Sequence, residues 1–304
     1  VQGLRGHGWR RLFSAPLMVY QATRQCIKIL QKQRALCVLG MGGYVTGPVG
    51  LAAWISRLPL VIHEQNAVAG TTNKILAKFA RQVLQAFPGT FNEKDKVTVS
   101  GNPIRKEITA LPAPEQRFAP RRGGCRILVL GGSLGASILN EWVPEALARL
   151  PDTIELDVCH QCGEVHLENT TALYTSLRLK NWRVEKFIEN MAEALGWADL
   201  VIARAGALTV SELATAGVGS LLIPYPYAID NHQARNAQYL ADRGAAIVCL
   251  QKELSSEILS TKLLELLQQG RQQWLQMAMN ARTLAQPNAT KEVADHCERW
   301  VNHG

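Results

Sequence analysis

Short β-branched and apolar runs alternate with stretches of helical periodicity along almost the whole chain. The runs at 36–39, 60–62, 82–86 and 97–100 read as strands, with helices predicted over 43–56 and 71–80 between them. A second series opens at 126–130 and continues at 154–158, 184–188, 200–203, 220–223 and 246–250. Three helical stretches close the chain, near 257–267, 272–284 and 291–301. Strands that alternate with helices predict βαβ units and parallel sheets, hence an α/β protein.

Between Ala110 and Gly124 the alternation stops. Pro112, Pro114 and Pro120, a basic pair and Gly123-Gly124 mark an interdomain linker there. The pattern therefore predicts two Rossmann-like lobes, 1–115 and 116–304, with parallel sheets facing a cleft and the last helix able to pack back on the first lobe. Open parallel sheets bind ligands beyond the carboxyl ends of their strands, so the cleft is the expected site. The chain opens on Val1, not Met, and its first residues read as the interior of a domain. The first lobe is accordingly expected to be incomplete at its N-terminal end.

At 304 residues the chain exceeds the usual size of one domain, and 47% hydrophobic with 19% charged residues suits globular protein. No apolar stretch reaches the roughly 18 to 20 residues of a membrane-spanning helix, and the polar, glycine-rich start is unlike a secretory signal. A cytoplasmic protein is expected. Seven scattered cysteines read as reduced thiols. Cys159-His-Gln-Cys162 invites a zinc or redox reading, but no second Cys/His pair follows at finger-like spacing, so no metal and no cofactor are expected. A net charge of +8 draws nucleic acid, anionic lipid or phosphorylated substrates. No nucleic-acid motif with interleaved aromatics is present, and nucleic acid is set aside.

Three segments carry candidate chemistry. Residues 126–136 read as a buried strand running into the turn Gly131-Gly-Ser-Leu-Gly135 and then a helix. Glycines let backbone approach a phosphate, and a helix N-terminus offers free N–H groups; a tight structural turn is the competing reading. The sequence matches neither the dinucleotide fingerprint nor a Walker loop. Residues 203–212 repeat the geometry around Gly206, with Thr209 and Ser211 supplying hydroxyls and Glu212 suited to both hydroxyls of a ribose. Glu212 could equally be a charge that merely complements the helix dipole. After 223, a proline-fixed loop leads to Asp230, Asn231 and Gln233, suited to reading sugar hydroxyls or to capping a helix.

Gly40-Met-Gly-Gly-Tyr-Val45, His63-Glu-Gln-Asn66, Gly101-Asn-Pro-Ile-Arg105, Gly131-Gly-Ser133, the 206–212 run and Asp230-Asn-His-Gln233 occur in one order. Together they resemble the MurG family, the inverting N-acetylglucosaminyltransferases of GT-B fold that make lipid II from UDP-GlcNAc and lipid I. The resemblance implies the cytoplasmic face of the bacterial plasma membrane and a part in peptidoglycan synthesis. It assigns Ser133, Ala207, Leu208 and Thr209 to the diphosphate, with Val210 and Ser211 leading to Glu212 on the ribose. Ile188 would present its backbone to uracil with Phe187 beside the base. Arg105 would reach the nucleotide, and Asn66 and Gln233 the GlcNAc. Leu134 stands where the family has Gln. The family's Gly-Gly-Thr-Gly-Gly-His loop, with its favoured general base, has no match here, so no catalytic residue is assigned and the activity of the chain as given is left open. His63 reads as an orienting or structural histidine.

Trp9, Phe13, Leu17 and Tyr20 fall on one helical face among Arg5, Arg10, Arg11, Arg24 and Lys28, provided Pro16 only kinks the helix. Such a face either packs on the first sheet or lies on anionic lipid. A lipid-linked acceptor favours the membrane. Two other functions share these features: a UDP-GlcNAc 2-epimerase, whose first-lobe carboxylates are not evident, and an inactive UDP-sugar-binding protein.

Overall fold

The computed structural model describes residues 9–92 and 96–302, the side chains of 9–15, 229 and 302 excepted. Contacts divide the chain into two units, Val1–Pro103 with Asn288–Gly304, and Ile104–Pro287.

The first unit holds a four-stranded parallel sheet in sequence order, β1 (Val38–Gly40), β2 (Leu60–Glu64), β3 (Gln82–Gln85) and β4 (Val97–Val99). Every residue of β2 and β3 is buried, which is why Leu60-Val-Ile62 is apolar without alternation: both faces are covered. Helices α1 (Trp9–Lys32), α2 (Gly43–Ile55) and α3 (Thr71–Leu76) pack on the side of Leu60, Ile62 and Val83, and the last helix of the chain covers Val61 and Leu84. α1 runs unbroken through Pro16. A Cβ on Gly50 of α2 would lie 2.7 Å from the Leu76 methyls, so α2 and α3 approach closely through that glycine.

The second unit begins with two short helices, α4 (Lys106–Thr109) and α5 (Pro114–Phe118), inside the segment expected to be a linker. The division falls after Pro103, not at 115/116. Two buried arginines explain the order in this proline-rich stretch. Arg117 donates to the carbonyls of Pro112, Leu195, Ala216 and Gly217, and Arg121 pairs with buried Asp199 and with the carbonyls of Gly196 and Ala198. Several of these carbonyls close helix ends, where orphan acceptors attract cations. Pro114 occupies the first turn of α5, the helical position proline tolerates best.

Six parallel strands follow, β5 (Cys125–Leu130), β6 (Leu156–Gln161), β7 (Trp182–Glu185), β8 (Leu200–Ala203), β9 (Gly219–Leu222) and β10 (Ala246–Val248), in the order β10-β9-β8-β5-β6-β7. Helices α6 (Ser137–Ala148), α7 (Leu167–Ser176), α8 (Met191–Trp197), α9 (Ala207–Ala216) and α10 (His232–Ala241) connect them, and α11 (Ser256–Gln268) and α12 (Gly270–Arg282) complete the unit. β6 runs later than expected because buried His160 and Gln161 extend it beyond its apolar stretch. β7 ends where β6 ends, at the Gln161–Glu185 pair, and leaves Phe187 and Ile188 in the following loop.

The last helix, α13 (Ala289–Asn302), belongs to the first unit. Its Val293 packs with Val61 and Leu84, flanked by Cys37, Cys297 and Trp300.

Candidate active site

From β5 the chain winds outward through β6 and β7, then returns to the other side of β5 to lay down β8, β9 and β10. The order reverses between β5 and β8, and such a switch point opens a crevice at the carboxyl ends of the strands. Two glycine turns line it here. Gly132 and Gly135 have φ of 85° and 79°, and a Cβ on Gly135 would stand 1.8 Å from the Cys162 carbonyl oxygen. Only glycine fits that second position. The turn delivers the chain into α6, and Gly206 delivers it from β8 into α9; neither helix carries a side-chain N-cap. Two helix N-termini with unspent N–H groups thus border one crevice, the arrangement that favours bound anions.

A cavity of about 450 Å³ lies there, lined by Gly131, Gly135, Ser137, Arg204, Tyr225 and Gln233. Arg204 donates to the carbonyls of Ile223 and Pro224, and its guanidinium sits 5.5 Å from the Tyr225 ring centre. Partial burial lowers its pKa from the ordinary arginine value. Gln233 Oε1 accepts from the Tyr225 N–H at 2.9 Å and holds the loop after β9 against α10.

The second unit brings most of the expected residues to this end of its sheet. Ser133 is exposed on the turn, as is Leu134. Ala207, Leu208 and Thr209 form the first turn of α9, followed by half-buried Ser211 and Glu212. Burial raises the Glu212 carboxyl above the ordinary glutamate value, and the charge of Arg105, just before α4, opposes that rise. Ile188 is buried, with its N–H donated to Gln161 Oε1, while Phe187 is half-exposed. Val210, between Thr209 and Ser211, is placed differently. Its side chain is wholly buried in the core and its N–H bonds the Gly206 carbonyl.

Asn66 lies in the first unit, beyond β2. Its backbone and side-chain N–H groups both donate to Glu64 Oε1, while Glu64 Oε2 accepts from Gly70 and Asn73. His63 is fully buried beside it. Its Nε2 donates to the Gly101 carbonyl at 2.9 Å, so Nδ1 accepts from Gln65 Nε2 at 3.3 Å. Burial lowers the His63 pKa. These residues brace the loops at the carboxyl ends of β1 and β2.

On α1, Leu17 and Tyr20 are 59% and 57% exposed, with Arg24 over the Tyr20 ring. The side chains of Trp9 and Phe13 lie outside the described residues. Cys159 and Cys162 are buried, His160 between them bonds Tyr174 and Asn140, and no cluster of metal-ligating side chains occurs among the described residues.

Three residues of this end of the sheet were not singled out by the sequence. Gln161 sits in the Cys-His-Gln-Cys run, where paired thiols draw attention to metal. Arg204 lies inside a quoted motif yet reads as an ordinary surface charge. Asn140 has no local signal; its partners are His160 and the Cys162 carbonyl.

Residues 126–299 match the model of the glycosyltransferase family 28 C-terminal domain, and residues 1–85 that of its N-terminal domain. The chain is 50% identical, over 99% of its length and 83% of the relative's, to the UDP-N-acetylglucosamine–N-acetylmuramyl-(pentapeptide) pyrophosphoryl-undecaprenol N-acetylglucosamine transferase of Marinobacter nauticus. The enzyme of that name from Coxiella burnetii is 45% identical over the same shares. The crystal structure of Acinetobacter baumannii MurG aligns with a TM-score of 0.84 at 42% identity, covering 94% of this chain and 79% of that one. A UDP-GlcNAc 2-epimerase from Neisseria meningitidis, at 13% identity and a TM-score of 0.62, shares the fold alone. With both family domains matched in order and a solved MurG aligned over nearly all of it, the chain belongs to glycosyltransferase family 28, as a MurG-type transferase of GT-B fold.

Proposed function

We propose that this chain transfers N-acetylglucosamine from UDP-GlcNAc to lipid I, the undecaprenyl-pyrophosphoryl N-acetylmuramyl-pentapeptide, and so forms lipid II for peptidoglycan. The observation that carries the reading is the pair of uncapped helix N-termini, α6 and α9, at the switch point between β5 and β8. A diphosphate held there has its charge met by backbone N–H groups and two helix dipoles. Those same groups stabilise the charge that grows on UDP as it leaves, an effect commonly worth about 3 kcal/mol per well-placed donor. Ser133 and Thr209 add hydroxyl donors, and Glu212 accepts the ribose hydroxyls. Gln233 and Asn66 are assigned to the sugar, Arg105 to the nucleotide, and the loop of Ile188 to the base.

The reaction is a direct displacement with inversion. The acceptor hydroxyl attacks the anomeric carbon from the face opposite UDP, the C–O bond to the diphosphate breaks, and UDP departs with the electron pair. The base that takes the hydroxyl proton is not assigned. Both ring nitrogens of His63 are engaged, and both Glu64 oxygens accept donors from the loop they brace.

A lipid-linked acceptor puts the reaction at the cytoplasmic face of the plasma membrane. No helix among the described residues is long and apolar enough to cross a membrane. The exposed Leu17–Tyr20 face of α1, with Arg24 beside it, is assigned to peripheral contact with anionic lipid.

The test is calorimetric titration with UDP-GlcNAc followed by a transfer assay with a water-soluble lipid I analogue. Donor binding with acceptor-dependent release of UDP supports the reading. Conversion of UDP-GlcNAc without acceptor would instead favour the epimerase chemistry.

A further inference from the structure

Gln161, the last residue of β6, is 3% exposed and holds two loops at once. Its Nε2 donates to the Gly132 carbonyl at 3.0 Å, and its Oε1 accepts from the Ile188 N–H at 2.9 Å. Its own backbone carbonyl accepts from the Gly131 N–H at 3.3 Å. The glycine turn is pressed against the next residues too. The Cys162 carbonyl occupies the space beside Gly135 and is fixed by Asn140 Nδ2 at 2.9 Å. A side-chain amide can donate from one end and accept at the other, and here the two ends serve the turn after β5 and the loop after β7.

We propose that Gln161 is a positioning residue that sets the register between the diphosphate-binding turn and the base-side loop. The proposal rests on the reading of this crevice as a UDP-sugar site. A nucleoside diphosphate gains affinity by being held at both ends in one geometry, and that gain depends on the two loops keeping a fixed separation. Without the amide each loop still meets its own end of the ligand, but the ends are no longer in register. UDP then loses much of its advantage over uridine.

The experiment uses the full chain with Gln161→Glu and Gln161→Leu, titrated with UDP by calorimetry and with uridine by ligand-observed NMR, at pH 8 and pH 6. Gln161→Glu keeps an acceptor for Ile188 but sets a carboxylate oxygen against the Gly132 carbonyl; Gln161→Leu removes both bonds. At pH 8 Gln161→Glu should bind UDP about tenfold more weakly, the effect of one lost buried hydrogen bond, and Gln161→Leu at least as weakly, while both bind uridine within about twofold of the parent. At pH 6 the buried carboxyl of Gln161→Glu takes up a proton, donates to Gly132 and recovers UDP affinity; Gln161→Leu does not recover. Variants that bind UDP as the parent does overturn the proposal, and so does an equal loss for UDP and uridine, which would mean general damage. A parent that binds neither ligand overturns the reading of the site, and this proposal with it.

Discussion

His160 donates through Nε2 to Asn140 Oδ1 at 3.1 Å, and the other end of that amide fixes the direction, because Asn140 Nδ2 already donates to the Cys162 carbonyl. Nδ1 therefore accepts from the Tyr174 hydroxyl at 3.0 Å, and the ring is neutral. Burial drives its pKa down to about 3.

A histidine whose pKa is lower folded than unfolded adds stability above the unfolded value of 6.5 and loses it as pH falls from there toward 3. The denaturant midpoint of the chain should therefore drop between pH 7 and pH 5, before most carboxylates titrate. Buried His63 contributes with the same sign. In a His160→Gln protein the drop should be shallower, as read from urea melts at several pH values. A profile as steep as the parent's would assign the decline to other groups.

Glu212 predicts a trade between stability and binding. Its pKa is raised by burial, so its charged form opposes folding: the favourable state is the protonated one, present below about 4.5 and lost as pH rises through the folded value. Glu212→Gln should thus melt no lower than the parent at pH 7.5 yet bind UDP about 1 to 3 kcal/mol more weakly. Preference for UDP over its 2′-deoxy analogue should shrink in the same protein. An unchanged preference would remove Glu212 from the ribose.

The two positive-φ glycines of the 131–135 turn should respond differently. Gly132→Ala meets open space and carries only the left-handed backbone penalty, about 1 to 2 kcal/mol. Gly135→Ala carries that penalty and also drives a methyl into the Cys162 carbonyl, so the turn must move. Thermal melts should rank Gly135→Ala well below Gly132→Ala, with UDP binding lost first in the former. Equal melting temperatures would mean that the turn yields freely.

Vesicle flotation addresses the face of α1. Binding to anionic vesicles should weaken as salt rises, since each basic residue near the surface contributes about 1 kcal/mol and that attraction is screened. Leu17→Ser with Tyr20→Ser, both at exposed positions, should reduce flotation without lowering the melting temperature. A much earlier melt would show that this face is packed instead.

The parallel strands and both glycine turns were legible in the sequence because each is written in a few neighbouring residues: an apolar run, a glycine, then a helical period. The order within 104–124 was not. Its prolines and glycines look like a linker, while the bonds that hold it run from Arg117 and Arg121 to carbonyls about 75 to 100 positions away. Ends of β6 were misjudged for a related reason. His160 and Gln161 are polar, and only Asn140, Tyr174, Gly132 and Ile188 make them acceptable inside. Val210 shows the converse limit, since a motif names a stretch of helix but not which of its side chains is buried in the core.

The return of α13 to the first unit bears on how the protein is made. A ribosome releases the chain from the N-terminus at about 5 to 20 residues per second, and the whole of Ile104–Pro287 emerges before Val293 can reach Val61 and Leu84. For roughly ten to forty seconds at that pace, while the second unit is being made, the first waits with those side chains uncovered. During translation the later-made unit is thus the first to be finished, and the nascent first sheet is the natural client for a chaperone.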